Sequence, residues 1–206
     1  MKRLGILLSG RGSNFLAIHR AIAEERLAGA EIAVVLSNKA DAPGLVAARE
    51  LGLSALHIPV AGRTPVERDL EFVAKLQEYG VDLVCLAGYM RIISPSFVEA
   101  FPNRILNVHP SLLPSFPGLD AQRQALEFGA KVAGCTVHFV DEAVDHGVII
   151  LQRVVQVQED DTDASLSARI LVEEHLAYPE AIGRVLSGEY EIVGRRFVRK
   201  LEPTAD

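Results

Sequence analysis

The chain has 206 residues, 49% of them hydrophobic, with a net charge of −6 and a pI near 5.5. That is enough apolar material to bury a substantial core, in one large α/β domain or in one domain with a small appendage. The acidic balance argues against non-specific nucleic-acid binding, which needs a basic face, and no apolar run reaches the length of a membrane span. Met1-Lys2-Arg3 ahead of Leu4–Leu8 has a signal-peptide flavour, but the apolar run is short and Ser9-Gly10-Arg11-Gly12 follows without a cleavage pattern. The start therefore reads as a first strand of a cytoplasmic protein. Cys85 and Cys135 lie among strand-like apolar residues. They read as small core residues in a reducing compartment, and they lack the paired spacing of a zinc site.

Leu4–Leu8 is a short apolar strand, Ser9–Ser13 a tight loop, and Asn14 to about Ala28 a helix. Glu31–Leu36 is a second strand, Ala42–Leu51 a helix ended by Gly52, and Ala55–Pro59 a short strand. Pro65–Tyr79 reads as an amphipathic helix with Val66, Leu70, Val73 and Leu76 as its apolar positions, closed by Gly80. Val81–Ala87 is a strong buried strand, Pro95–Phe101 a short helix and Ile105–Val108 another strand. After a helix at Ala121–Phe128, two long strands, Gly134–Val140 and Val148–Val157, flank Asp141–Gly147 and read as an antiparallel pair. Ser165–Leu186 is a long helix with Pro179 as a site for a bend, and Glu191–Val193 with Phe197–Arg199 form a terminal hairpin across Gly194-Arg195-Arg196. Strands alternating with helices predict an α/β fold, a doubly wound and mostly parallel sheet with an antiparallel C-terminal extension.

Three segments carry chemistry. In Asn107-Val108-His109-Pro110-Ser111-Leu112-Leu113-Pro114 an apolar strand ends on two polar side chains. Strand side chains alternate, so Asn107 and His109 point the same way, and Pro110 stops the ladder just beyond them. An imidazole moves protons near neutral pH, and an amide N–H can steady an oxyanion. Ser9-Gly10-Arg11-Gly12-Ser13-Asn14 links a strand to a helix start, where free N–H groups and the helix dipole suit a phosphate. Position 15 is Phe where a dinucleotide fingerprint wants a third glycine, so a mononucleotide phosphate fits better than NAD. Asp141-Glu142-Ala143-Val144-Asp145-His146-Gly147 is dense in ionisable groups, and one carboxylate could reach His109 if the loop folds over the strand end. His138, inside a strand, reads by default as a satisfied core or sheet-face histidine. His109, His138 and His146 show no compact metal-ligand spacing, and no metal is expected.

Taken in order with Ser37-Asn38-Lys39, Leu86-Ala87-Gly88-Tyr89-Met90-Arg91-Ile92 and Gly134-x-Thr136-Val137-His138-Phe139-Val140-Asp141 through Asp145-x-Gly147, these segments resemble the phosphoribosylglycinamide formyltransferases, folate-dependent enzymes of purine synthesis. The resemblance covers nearly the whole chain. It implies a formyltransferase-type Rossmann-like fold as a single domain over 1–206, with 1–100 as the nucleotide-phosphate half and 101–206 as the catalytic and folate half. It implies transfer of a formyl group from 10-formyltetrahydrofolate, as co-substrate and without metal, to the amine of glycinamide ribonucleotide. Asn107, His109 and Asp145 then form the catalytic trio, with Asp145 orienting His109 and favouring its imidazolium form. Gly12, Ser13 and Asn14 hold the phosphate and Glu174 the ribose hydroxyls. Met90, Arg91, Ile92 and Ile93 with Asn107, Val140 and Asp141 receive the folate, and Arg63 lies near its glutamate tail. The Leu113–Pro114 peptide is expected cis. The partners implied are these small molecules, with no nucleic acid and no membrane; a homodimer stays open.

The sequence departs from the pattern of these relatives at Asp120 and Gln122, where histidines are common, at His146, where glycine is frequent, and at Arg11. Competing readings are a formyltetrahydrofolate hydrolase, which carries an additional N-terminal domain, and a methionyl-tRNA formyltransferase, which needs a C-terminal one. A non-catalytic nucleotide-binding module would use the Gly10–Asn14 loop and none of the trio. An NAD oxidoreductase is weakened by the incomplete glycine pattern.

Overall fold

The computed structural model describes residues 1–200. The elements are β1 (Lys2–Leu8), α1 (Ser13–Ala23), β2 (Ala30–Ser37), α2 (Pro43–Glu50), β3 (Ala55–His57), α3 (Pro65–Glu78), β4 (Leu83–Leu86), α4 (Pro95–Ala100) and β5 (Ile105–His109). There follow α5 (Ala121–Phe128), β6 (Val132–Phe139), β7 (Ile149–Gln156), α6 (Asp163–Leu186), β8 (Tyr190–Val193) and β9 (Arg196–Arg199). A seven-stranded sheet runs in the order β3-β2-β1-β4-β5-β6-β7. The pairings among β1 to β5 are parallel, whereas β5–β6 and β6–β7 are antiparallel. β8 and β9 form a separate antiparallel pair.

Alternation along β1 divides the core between the two faces of the sheet. Leu4, Ile6 and Leu8 pack with Phe15 and Ile18 of α1, Leu45 of α2 and Leu166, Ile170 and Tyr178 of α6. Leu7 packs on the other face with Phe72 and Leu76 of α3 and Phe97 of α4. The helices between the strands cover both faces, and α6, which follows β7, packs on the same face as α1 and α2.

Two sequence expectations shift. The first helix stops at Ala23 rather than Ala28, because the chain passes through Glu25 at φ 58° and turns back until the Leu27 N–H reaches the Ala21 carbonyl at 3.0 Å. That turn places Leu27 in the core. On α3 the predicted face is buried only in its second half, at Val73 and Leu76. Val66 and Leu70 are exposed, and the face that packs inward is Arg68, Asp69, Phe72, Val73 and Leu76. The first turn is held by a Thr64–Glu67 capping box. α6 runs as one helix through Pro179, and the terminal hairpin lies where expected.

Candidate active site

β5 carries Asn107 and His109 to its C-terminal end, beside β4 on one side and β6 on the other. The His109 side chain is nearly buried. Its Nε2–H donates to the Phe116 carbonyl at 2.9 Å, and Nδ1 faces Asp145 Oδ2 at 3.3 Å. Asp145 comes from the β6–β7 loop, where it sits at φ 50°. Its Oδ2 also accepts from the Gly118 N–H at 2.8 Å. The acidic loop thus folds over the strand end and brings a carboxylate to His109.

His138 completes this group. In the β5–β6 ladder it stands directly opposite Asn107. Its Nδ1–H donates to the Phe139 carbonyl at 2.7 Å, leaving Nε2 as the acceptor for the Asn107 Nδ2 amide at 3.3 Å. Burial lowers the pKa of His138, which keeps the ring neutral and able to accept. One amide N–H of Asn107 is thereby fixed and the carboxamide plane with it. Asp145 Oδ1 lies 3.7 Å from the same Nε2. His138 is a satisfied, buried sheet histidine, as its default reading has it, and it also touches two of the candidate site residues, Asn107 and Asp145. The signal for those contacts was its register opposite Asn107, which a sequence does not display before the pairing of β5 and β6 is known.

Two backbone devices hold these groups. Gly147 closes the acidic loop against the end of β6: a Cβ there would lie 1.8 Å from the Phe139 carbonyl oxygen, so only glycine fits. Beyond His109, the Ser111–Ser115 turn is clamped by Thr136, whose Oγ1 donates to the Ser111 carbonyl at 2.7 Å and accepts from the Leu113 N–H at 3.0 Å. Gln152 Nε2 adds bonds to the Leu113 carbonyl and to Thr136 Oγ1, both at 2.9 Å. The Leu113–Pro114 peptide is cis, as expected.

At the other end, Gly12 takes φ 73° immediately before α1, with its Cα against that of Gly44. No side chain caps α1, so its first N–H groups are left for another acceptor. Asn14 is buried and donates through Nδ2 to Glu174 Oε2 of α6 at 2.8 Å, while its Oδ1 has no partner. Burial raises the Glu174 pKa to about 7, against the lowering effect of the Asn14 amide. Residues 160 positions apart thus present an unpaired amide oxygen and a carboxyl side by side. Ser13 is half-buried and Arg11 exposed.

The 90–93 segment is tied to both ends. Its Met90 N–H donates to Ser9 Oγ at 2.9 Å, and Ser9 in turn donates to Asn38 Oδ1 at 2.6 Å. Met90, Arg91 and Ile92 are exposed and Ile93 is buried. Behind them lies a buried ion pair that the sequence reading passed over. Arg68 Nε bonds Asp69 Oδ1 at 2.6 Å, Arg68 Nη2 bonds the Ile92 carbonyl at 2.9 Å, and Asp69 Oδ2 accepts from the Ser94 N–H at 2.6 Å. The only trace of it in the sequence was two adjacent charges at helix positions in phase with Phe72 and Leu76. Val140 is half-buried, its N–H bonded to the Ile105 carbonyl, and Asp141 lies one residue on in the acidic loop. Arg63 is exposed ahead of α3 and ion-paired with Glu71. Asp120 stands at φ 56° before α5 and pairs with Arg123 at 2.6 Å, while Gln122 is half-buried on α5.

Among the described residues no group of three or more His, Cys, Asp or Glu is arranged to hold a metal ion, and no helix is long and apolar enough to cross a membrane.

Comparison with known proteins agrees with this arrangement. Residues 2–182 match the family model described as formyl transferase. The chain is 44% identical over 191 residues to the trifunctional purine biosynthetic protein adenosine-3 of Drosophila melanogaster, covering 91% of this chain but only 14% of that much longer protein. It is 42% identical over 189 residues to the phosphoribosylglycinamide formyltransferase of Escherichia coli, covering 91% of this chain and 88% of the relative. The crystal structure of glycinamide ribonucleotide transformylase 1 from Symbiobacterium toebii superposes with a TM-score of 0.94 at 55% identity, covering 98% of this chain and 95% of that one. By the family model over residues 2–182 and by these relatives, the chain belongs to the formyl transferase family, among the phosphoribosylglycinamide formyltransferases.

Proposed function

We propose that the protein transfers a formyl group from 10-formyltetrahydrofolate to the amine of N1-(5-phospho-D-ribosyl)glycinamide, a step of purine biosynthesis, with Asn107, His109 and Asp145 as the catalytic residues. The observation that carries this reading is the meeting of all three at the end of β5, with His109 Nδ1 at 3.3 Å from Asp145. The substrate amine, neutral, attacks the formyl carbon, and the carbonyl oxygen becomes an oxyanion. Asn107 donates an N–H to that oxyanion, and protonated His109 adds positive charge beside it. Asp145 holds His109 in place. As the intermediate collapses, the bond from the formyl carbon to the folate nitrogen breaks. The proton lost by the attacking amine ends on that nitrogen, directly or through water. No covalent enzyme intermediate is required, and positioning of two small molecules supplies much of the acceleration.

The remaining assignments follow the same reading. The phosphate sits on the N–H groups at Gly12, Ser13 and Asn14, supported by the uncapped start of α1. The ribose hydroxyls donate to Glu174 and to the unpaired Asn14 Oδ1, a pair of acceptors suited to a diol. The folate lies against Met90, Arg91, Ile92 and Ile93, with Val140 and Asp141 reading its polar edge and Arg63 near its tail. We take residues 1–206 as one formyltransferase domain whose two halves both feed the site. A cytoplasmic setting belongs to the proposal, with the buried free thiols Cys85 and Cys135 in its support. So does a homodimer, which sedimentation at graded concentration would reveal.

The test is an assay with formyl-folate in the presence and absence of the glycinamide ribonucleotide. Release of tetrahydrofolate that depends on the acceptor, with formylated product, is the expected result. Release at the same rate without acceptor would mark a hydrolase. No release, with nucleotide still bound, would mark a binding module.

A further inference from the structure

Departure from the pattern of relatives at His146 leads to a contact outside the site. Arg195, in the turn of the β8–β9 hairpin, donates through Nη2 to the His146 carbonyl at 2.6 Å and through Nη1 to His146 Nε2 at 3.2 Å. Because the guanidinium can only donate, Nε2 is the acceptor and Nδ1 carries the proton. Nδ1–H then bonds Asp141 Oδ2 at 2.8 Å, and Asp141 Oδ1 takes the Ala143 N–H at 3.0 Å. The hairpin is seated at the other end of the same loop as well. Phe197, two residues beyond Arg195, packs edge-on against Phe139 with ring centroids 5.7 Å apart, and Tyr190 stacks on Phe197 at 4.9 Å. One small hairpin thus grips the acidic loop where it leaves β6 and where it returns.

The residue between these grips is Asp145. It stays at φ 50°, a conformation that disfavours a non-glycine residue and persists only when neighbours impose it. On the inner side the Gly118 N–H and His109 hold its carboxylate. On the outer side Arg195 bonds the His146 carbonyl, in the peptide joining His146 to Gly147, and so fixes the backbone one residue beyond Asp145. We propose that Arg195 and His146 are positioning residues: a strap from the C-terminal hairpin that keeps the Asp145 carboxylate at His109. The proposal rests on the catalytic role of Asp145 given above.

The test is R195A, R195K and H146A in the full chain, each alone and combined with D145N, with kcat and both KM values measured. R195A is expected to lower kcat about tenfold, since small displacements of a catalytic group are costly, with the KM for the nucleotide unchanged. H146A keeps the backbone carbonyl and should lose less. R195K, which places one donor instead of a fork, should recover part of the loss. In the D145N background neither R195A nor H146A should lower kcat further, because the strap acts only through that carboxylate. An unchanged kcat in R195A, or full additivity with D145N, overturns the strap. If R195A does not accumulate folded, H146A and its combination with D145N decide by the same criteria. Wild-type protein without acceptor-dependent transfer, or D145N at wild-type kcat, sinks the catalytic reading itself and is thereby told apart from failure of the strap alone.

Discussion

Glu174 and Asp145 are two carboxylates of the proposed site, and they are held in contrary ways. Glu174 projects from the middle of a regular helix into a buried position with a single donor, Asn14, so burial dominates and its pKa rises to about 7. Asp145 projects from a short loop at φ 50°, is 11% exposed, and is met by a backbone N–H on one side and His109 on the other. The first arrangement suits a group that waits for a ligand's donors. The second suits a group whose partner is already in place. One carboxyl is built to be completed by substrate, the other to complete a neighbouring side chain.

The sharpest way to break this contrast is to remove the catalytic neighbours. H109A and N107A should each lower kcat by about 100- to 1,000-fold, the usual loss for an oxyanion-stabilising group, while nucleotide affinity by calorimetry stays near wild type. Equal losses of affinity and turnover would mean that the two ends are not separable. Next in size is G12A at the phosphate end. A Cβ on Gly12 would meet the Gly44 Cα at 2.9 Å, and φ 73° disfavours any side chain. We expect a stability loss of roughly 1–3 kcal/mol in urea unfolding, with a raised nucleotide KM and a kcat much less affected.

The last effect, which touches stability alone and leaves the chemistry aside, concerns Glu174 and pH. Its folded pKa, about 7, lies above the ordinary value of 4.5. Between those values the folded state binds more protons than the unfolded one, so stability falls as pH rises and the penalty is complete above about 7. E174Q cannot ionise. Unfolding curves at several pH values should show the wild type losing up to roughly 3 kcal/mol relative to E174Q as pH goes from 4.5 to 7. A flat difference would mean that the carboxyl is not held by burial at all.

The parts of the molecule that were legible in its sequence are those set by neighbours along the chain. The apolar runs of β1, β2, β4 and β5, the glycine loop before α1, and the alternation that puts Asn107 and His109 on one side are all local properties. What escaped depends on partners distant in number. The first half of the inward face of α3 was misassigned because Arg68 and Asp69 look like solvent residues until Ile92 and Ser94 are known to lie beneath them. His138 gained its role from a cross-strand register, and Arg195 from a hairpin that returns 49 residues later to the acidic loop. Asp145 was readable only through the motif it shares with relatives, since an acidic turn by itself says nothing of what it covers.

Tyr178 has a consequence for substrate size. Its hydroxyl is shared between the Leu86 and Leu106 carbonyls of β4 and β5, at 3.1 and 2.9 Å, and Leu106 immediately precedes Asn107. Glu174 lies four residues earlier on the same helix, about 6 Å along its axis. The helix is therefore a gauge block: one notch, Tyr178, seats on β4 and β5, and the other, Glu174, seats on Asn14 at the start of α1. Inserting a single residue between the two notches would swing Glu174 by about 100° and leave the strands where they were. Under the proposed function, one turn of α6 sets the span between the phosphate and the reacting carbon.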